Sequence, residues 1–245
     1  MIQTDTLLNN YKILQDPERF MFGIDAVLLS HFSRQALNHN EKLFDLCTGN
    51  GIVPLLLCDF VNKIDAIEIQ KDSADLAVKS VQINALEQKI AVTNGDLKNI
   101  STEKLFEKHS YNCVTCNPPY MINEHGRQNE TDAKTIARHE ICCTLDDVVA
   151  AADFLLHTHG KFFMIHRPFR LPEIFAVLKK YSFEPKRMQL VYPFIDKEPN
   201  LVLIEARKNA SPRLKMEKPL FVYDKPGLYT KEINDIYDSF RNQRN

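Results

Sequence analysis

From Lys42 onward the chain alternates between two kinds of segment, and that alternation limits its possible folds more than any other feature. Short apolar runs read as buried strands: KLFDL (Lys42 to Leu46), KIDAIEI (Lys63 to Ile69), KIAVTN (Lys89 to Asn94), YNCVTC (Tyr111 to Cys116) and KFFMIH (Lys161 to His166). Helical patterns separate them. IVPLLLCDF (Ile52 to Phe60) carries Pro54 in its first turn, where proline is tolerated. In KDSADLAVKSVQINAL (Lys71 to Leu86), Ala74, Ala77, Val78, Val81 and Ala85 keep helical spacing. A short helical stretch is expected from Thr102 to Glu107. TLDDVVAAADFLLHT (Thr144 to Thr158) opens with a Thr cap and Asp147 at the third position, with Gly160 placed just past its end. RLPEIFAVLKKY (Arg170 to Tyr181) is the last helix of the series.

Strands joined by helices need crossovers, and crossovers force a mostly parallel sheet covered on both faces. KRMQLVYPF (Lys186 to Phe194) and NLVLIEARK (Asn200 to Lys208) follow with only a turn between them, which predicts an antiparallel hairpin at one edge. The expectation is therefore an α/β, Rossmann-like fold with seven strands and helices on both faces. Residues 1–245 read as one domain: an N-terminal cap (1–40), a core (41–208) and a C-terminal tail (209–245). No signal peptide and no run of about 18 apolar residues is present, so a cytoplasmic protein with reduced thiols is expected. Cys113 and Cys116 form a C-x-x-C, and Cys142 and Cys143 are adjacent. The first pair lies in a strand pattern without the turn residues usual between zinc ligands, so no metal site is expected. No feature sets an oligomeric state.

In a sheet of this kind ligands bind beyond the carboxyl ends of the strands, at the topological switch. The chain has only seven glycines, well below the usual ~7%, and four of them (Gly23, Gly49, Gly51, Gly95) fall beside such ends. The first strand runs into DLCTGNG (Asp45 to Gly51), a turn that lets a ligand approach the backbone. Asp45 before the glycines, with no Lys-Ser/Thr after them, favours a ligand with an amino-acid part over a pyrophosphate. Glu68 ends the second strand about 20 residues on, where a carboxylate can accept both hydroxyls of a ribose. Asp96 ends the third and can accept from an adenine amino group. The fourth ends in Asn117-Pro118-Pro119-Tyr120. Two prolines make that corner stiff and cannot continue a sheet. The Asn117 side-chain carbonyl and the Pro118 backbone carbonyl can accept from the two N–H groups of an exocyclic amine and stabilise the charge that develops on it. Tyr120 offers a face on which a base can stack.

DLCTGNG, Glu68, NGD and NPPY resemble the motifs of class I S-adenosylmethionine-dependent amino methyltransferases. LQDPERFMFGIDAVLL, VTCNPPY, ARHEICCTLDDVVAAA, FFMIHRP, PKRMQLVYP and NLVLIEA are together similar to bacterial tRNA adenine-N6 methyltransferases, which act on the adenine beside the anticodon of a valine tRNA. The resemblance runs from about Leu8 to Tyr237. It implies S-adenosyl-L-methionine as cofactor and a tRNA substrate. It implies that Asp45, Gly49 and Gly51 flank the methionine part, with Gly23 and Asp25 closing that end, Glu68 holding the ribose and Asp96 the adenine. Asn117, Pro118 and Tyr120 would be catalytic, with Asn117 also against the cofactor. The chain departs from the family at Cys47, where the turn has its first glycine; a negative φ there would accommodate the Cβ.

For substrate contacts, Arg138 and Arg167 each adjoin a histidine, and His166 at the end of the fifth strand is the favoured phosphate contact of the two histidines. The net charge of −1 argues against a general nucleic-acid binder, so RNA contact needs a local patch. Lys161 to Gln189 holds seven basic and two acidic residues and is the candidate patch. Two other readings fit the same motifs: methylation of a protein glutamine, whose amide suits the same corner, and an RNA-binding module with a degenerate cofactor site.

Overall fold

The computed structural model describes residues 2–17, 22–119 and 143–241. In chain order the strands are β1 (Gln3–Thr6), β2 (Lys12–Gln15), β3 (Lys42–Leu46), β4 (Lys63–Glu68), β5 (Ile90–Asn94), β6 (Tyr111–Cys116), β7 (Leu156–His166), β8 (Phe183–Tyr192), β9 (Leu201–Lys208), β10 (Lys215–Met216), β11 (Leu220–Phe221), β12 (Tyr223–Lys225) and β13 (Leu228–Tyr229). The α-helices are α1 (Ile24–Arg34), α2 (Ile52–Leu57), α3 (Lys71–Ile83), α4 (Leu145–Leu155), α5 (Leu171–Lys180) and α6 (Lys231–Arg241). Strands β5, β4, β3, β6 and β7 lie side by side and parallel. β9 inserts between β7 and β8, antiparallel to both. The chain moves outward from β3 through β4 to β5, then returns to the other side of β3 as β6. The switch point therefore lies between β3 and β6.

Alternation in the strands supplies two cores. Leu43, Cys113, Phe163, Ile165 and Leu203 face α1, α2 and α6. Phe44, Val114, Cys116, Phe162, Met164 and Ile204 face α4 and α5. Cys113 and Cys116 thus belong to opposite faces of the sheet, so the C-x-x-C cannot close on one ion.

Several elements differ from the sequence expectation. The sheet has nine strands, because the two-residue β10 and β11 pair in parallel with β8 beyond the seven expected. Thr102 to Glu107 is not helical. Lys104 there takes a left-handed φ of 51°, which ends any helix, and a 3-10 turn at Leu97–Asn99 comes earlier. α4 stops at Leu155 and β7 begins at once, so Gly160 sits inside a strand. His159 has a φ of 65°, and a Cβ on Gly160 would come within 2.8 Å of Leu156 Cδ2 and 2.9 Å of the His157 carbonyl. Glycine there allows the bulge that shifts the register between Tyr111 and Cys113.

The basic stretch Lys161 to Gln189 does not form one face. Lys161 pairs with Glu41 at 2.7 Å, and Lys180 pairs with Asp146 at 2.6 Å. Arg187 pairs with Glu205 at 3.0 Å, donates to the Phe32 carbonyl at 2.6 Å, and lies 3.9 Å over the Phe32 ring. It joins β8 to β9 and α1. Of the seven bases, Arg167 and Arg170 stand at the carboxyl end of β7.

Candidate active site

A cavity of about 320 Å³ opens at the carboxyl ends of β3, β4, β5 and β6, on the switch point. Its volume is at the small end of the range for small-molecule pockets. Gly23, Asp25, Asp45, Gly49, Glu68, Asp96, Asn117 and Pro118 all line it. Gly51 does not. Its φ is 86°, and a Cβ would lie 3.2 Å from Ala77 Cβ, so this glycine starts α2 and lets the turn approach α3. Tyr120 and Arg138 lie outside the described residues.

Asp45 is almost wholly buried at the end of β3. Its Oδ1 accepts a hydrogen bond from Thr115 Oγ1 at 2.6 Å, while Oδ2 is buried without a partner among the described residues. Burial pushes its pKa up to about 7 against the pull of the neighbouring Thr115 and Thr48 hydroxyls. Such an orphaned acceptor on a cavity wall suits a cationic ligand group. Glu68, at the end of β4, accepts from Gly49 N at 2.8 Å and from Gln70 N at 2.9 Å. The two bonds fix the carboxylate and leave each oxygen a second lone pair. Asp96 caps the 3-10 turn by accepting from Lys98 N at 2.9 Å.

Asn117 follows β6. Its Nδ2 donates to Asp25 Oδ2 at 3.2 Å, while Asp25 Oδ1 accepts from Ala26 N at 2.9 Å at the start of α1. The amide N–H₂ is thereby turned to α1, and the carboxamide oxygen takes the other branch. Gly23 makes this packing possible, since a Cβ there would lie 2.7 Å from Asp25 Oδ1.

Cys47 has a φ of 56°, so the backbone occupies the left-handed region and not the negative φ that would accommodate a side chain without strain. The neighbouring Cys116 thiol, together with burial, raises its pKa well above the ordinary thiol range. Cys47 is a neutral group held among other thiols. His166 is also corrected. It is buried, its Nδ1 accepts from Arg167 N at 2.7 Å, and burial followed by the Arg170 charge lowers its pKa to about 4. A neutral interior imidazole cannot pair with a phosphate as a cation.

Other lining residues escaped the sequence reading: Thr48, Ile69, Gln70, Leu97 and Cys143. One had a legible signal. Ile69 directly follows the acidic strand end and remains 40% exposed, an apolar surface beside a polar anchor. S-adenosylmethionine carries an ammonium, a ribose diol and an adenine. The unpaired Asp45 oxygen, the fixed Glu68 carboxylate and the apolar Ile69 and Leu97 match those parts in chemical type.

The strand order, with β9 inserted antiparallel next to β8 and the cavity at the switch point, defines a class I methyltransferase fold. A predicted O-methyltransferase from Agrobacterium tumefaciens shares it with a TM-score of 0.70 at 20% identity, over 89% of this chain and 96% of that one. The chain belongs to the methyltransferase small domain family, whose model matches residues 23–179. It is also similar to the tRNA1(Val) (adenine(37)-N6)-methyltransferase of Porphyromonas gingivalis, at 25% identity over 89% of this chain and 87% of the relative. The protein of the same name from Flavobacterium johnsoniae is 24% identical, over 94% of this chain and 96% of the relative.

Proposed function

We propose that this protein transfers the methyl group of S-adenosylmethionine to the N6 amino group of an adenine in a tRNA anticodon loop, adenine 37 of tRNA1(Val) by likeness to its relatives. The observation that carries the reading is the Asn117 carboxamide, tied through Asp25 to the start of α1 at the wall of a cavity whose polar groups suit this cofactor. The whole chain works as one domain, in the cytoplasm, where its tRNA substrate is.

Asp45 holds the cofactor's ammonium, Glu68 its ribose hydroxyls and Asp96 its adenine amino group. Gly23 and Gly49 let backbone come close. The cofactor supplies an electrophilic methyl on a sulfonium, a leaving group that uses no metal. Asn117 Oδ1 and the Pro118 carbonyl accept from the adenine N–H groups and stabilise the positive charge developing on nitrogen. Prolines 118 and 119 hold that aim. Tyr120 stacks on the base, and Arg138 and Arg167 reach phosphates.

Methylation of a protein glutamine uses the same acceptors, so substrate class is the test. Protein, labelled cofactor, unmodified total tRNA and soluble cell protein are incubated together. Label in the tRNA fraction is expected; label confined to protein would overturn the reading.

A further inference from the structure

Among the described residues, the two most exposed large apolar side chains are Ile195, at 82%, and Phe169, at 67%. Both stand on the rim that carries the cavity. Phe169 lies in the 3-10 turn Pro168–Arg170 that leaves the carboxyl end of β7. Ile195 lies just beyond the carboxyl end of β8. His166, Val202 and Leu190 pair in a row across β7, β9 and β8, so the two exits are close to level with one another.

Neither exposure comes from a loose turn. Arg167 Nη1 donates to the Asn200 carbonyl at 3.0 Å and ties the β7 exit to the β8–β9 connection. The β8 end is pinned by Val222 N to the Tyr192 carbonyl at 2.8 Å and Tyr223 N to the Pro193 carbonyl at 2.9 Å. Behind Ile195, the Phe194 ring packs on Tyr223 at 5.5 Å, Tyr223 stacks on Tyr229 at 5.2 Å, and Tyr229 meets Tyr237 at 5.5 Å. In sequence, Arg167 and Arg170 stand on either side of Phe169, and Arg170 is held in a two-bond pair with Glu173. An exposed aromatic ring beside basic residues is a pattern that binds single-stranded nucleic acid.

We propose that Phe169 and Ile195 form an apolar platform for the unpaired anticodon-loop bases that neighbour the target adenine. The proposal rests on the tRNA reading above and adds to it a second contact surface. Three strand spacings of ~4.8 Å separate β6 from β8, so the platform extends ~14 Å from the Asn117 corner. That is about four stacked nucleotides at ~3.4 Å each. The connection around Ile195 carries Asp196 and Glu198 against Lys197, which suits contact with a base face and not with phosphates. Phosphate contact falls instead to the arginines beside Phe169.

The test measures binding of an anticodon stem-loop RNA to the full protein with Phe169→Ala, Phe169→Trp and Ile195→Ser. Phe169→Ala is expected to weaken RNA binding about ten-fold or more, the order of one lost base-stacking contact, and Ile195→Ser about three-fold or more through lost apolar contact with a base. Affinity for S-adenosylmethionine and the melting temperature should hold, because both side chains are exposed. Phe169→Trp should retain binding. The slope of affinity against salt should not change, since no charge is lost. A stem-loop with abasic sites flanking the target should bind wild type as weakly as it binds Phe169→Ala. Stem-loop affinity within two-fold of wild type in both truncations would overturn the platform. So would an equal further loss on the abasic RNA, or an effect of Phe169→Ala confined to a protein substrate. Failure of the underlying reading is separate: wild type itself would then put no methyl into tRNA.

Discussion

Asp45 combines a buried, unpartnered carboxylate oxygen with a pKa raised to about 7. An ammonium seated there stabilises the ionised form, so cofactor binding below pH 7 must release a proton. Affinity should fall as pH drops through 7, by up to about ten-fold per unit. Calorimetry in buffers of different ionisation heat should detect that proton, and Asp45→Asn should abolish both the release and the pH dependence. Glu68→Ala should weaken cofactor binding by about 1.5–3 kcal/mol. It should also lower the melting temperature, because Gly49 N and Gln70 N lose their acceptor; unchanged calorimetric affinity would remove Glu68 from the site. Asp25→Ala removes the Asp25 anchor of the Asn117 amide and should reduce single-turnover rate more than cofactor affinity, whereas a purely structural Asp25 would shift both together. Most of these positions could be placed at the cavity in advance because four consecutive strands each end in a polar residue at the same rim. The conformation of Cys47 and the burial of His166 were not legible. The φ of Cys47 is set by a turn in which Thr48 N bonds the Ile67 carbonyl, and the burial of His166 depends on what packs over β7.

The β8–β9 pair shows what a charge count conceals. Lys161 to Gln189 looks like one basic surface, yet Arg187 is a clamp between two strands and α1, with a partner, Glu205, that is itself buried. Arg187→Ala should destabilise by about 2 kcal/mol in denaturant unfolding, the order of a lost hydrogen bond to a charged group, since Glu205 keeps Arg207 at 3.1 Å. The salt dependence of RNA binding should stay as in wild type; a flatter slope would return Arg187 to the RNA surface. The elements legible in advance were those with five or more periodic residues, such as β3, β4 and α3. The two-residue strand β10 has no periodicity to read, whereas β11 lies within the strand-like run PLFVY, and Gly160 marks a bulge by a clash that only the packed strand reveals.

For the whole molecule, the strand order that sets the switch point between β3 and β6 emerged only with the fold, but a mostly parallel sheet with its ligand site beyond the strands' carboxyl ends was legible from alternation. Stability against acid was not, because it depends on burial. His31 and His166 both have pKa values lowered to about 4, chiefly by burial. Their stabilising effect is complete above the unfolded value near 6.5 and is lost as pH falls from there through 4. Asp45 acts in the opposite sense, since its raised pKa favours the folded state at low pH and loses that effect as pH rises through 7. Two histidines against one aspartate leave a net loss, so the melting temperature should drop between pH 6.5 and 4.5, and His166→Gln should flatten that arm. The proposed reaction places one methyl group on one atom of one base. Unmodified tRNA methylated by the protein is digested to nucleosides, and the methylated product is identified by chromatography and mass spectrometry against standards. N6-methyladenosine, mapped to the anticodon loop and reduced about 10²–10³-fold in rate by Asn117→Ala, is the predicted result. A methyl on guanine or on a ring atom of adenine, or N6-methyladenosine formed by Asn117→Ala at the native rate, would contradict the account.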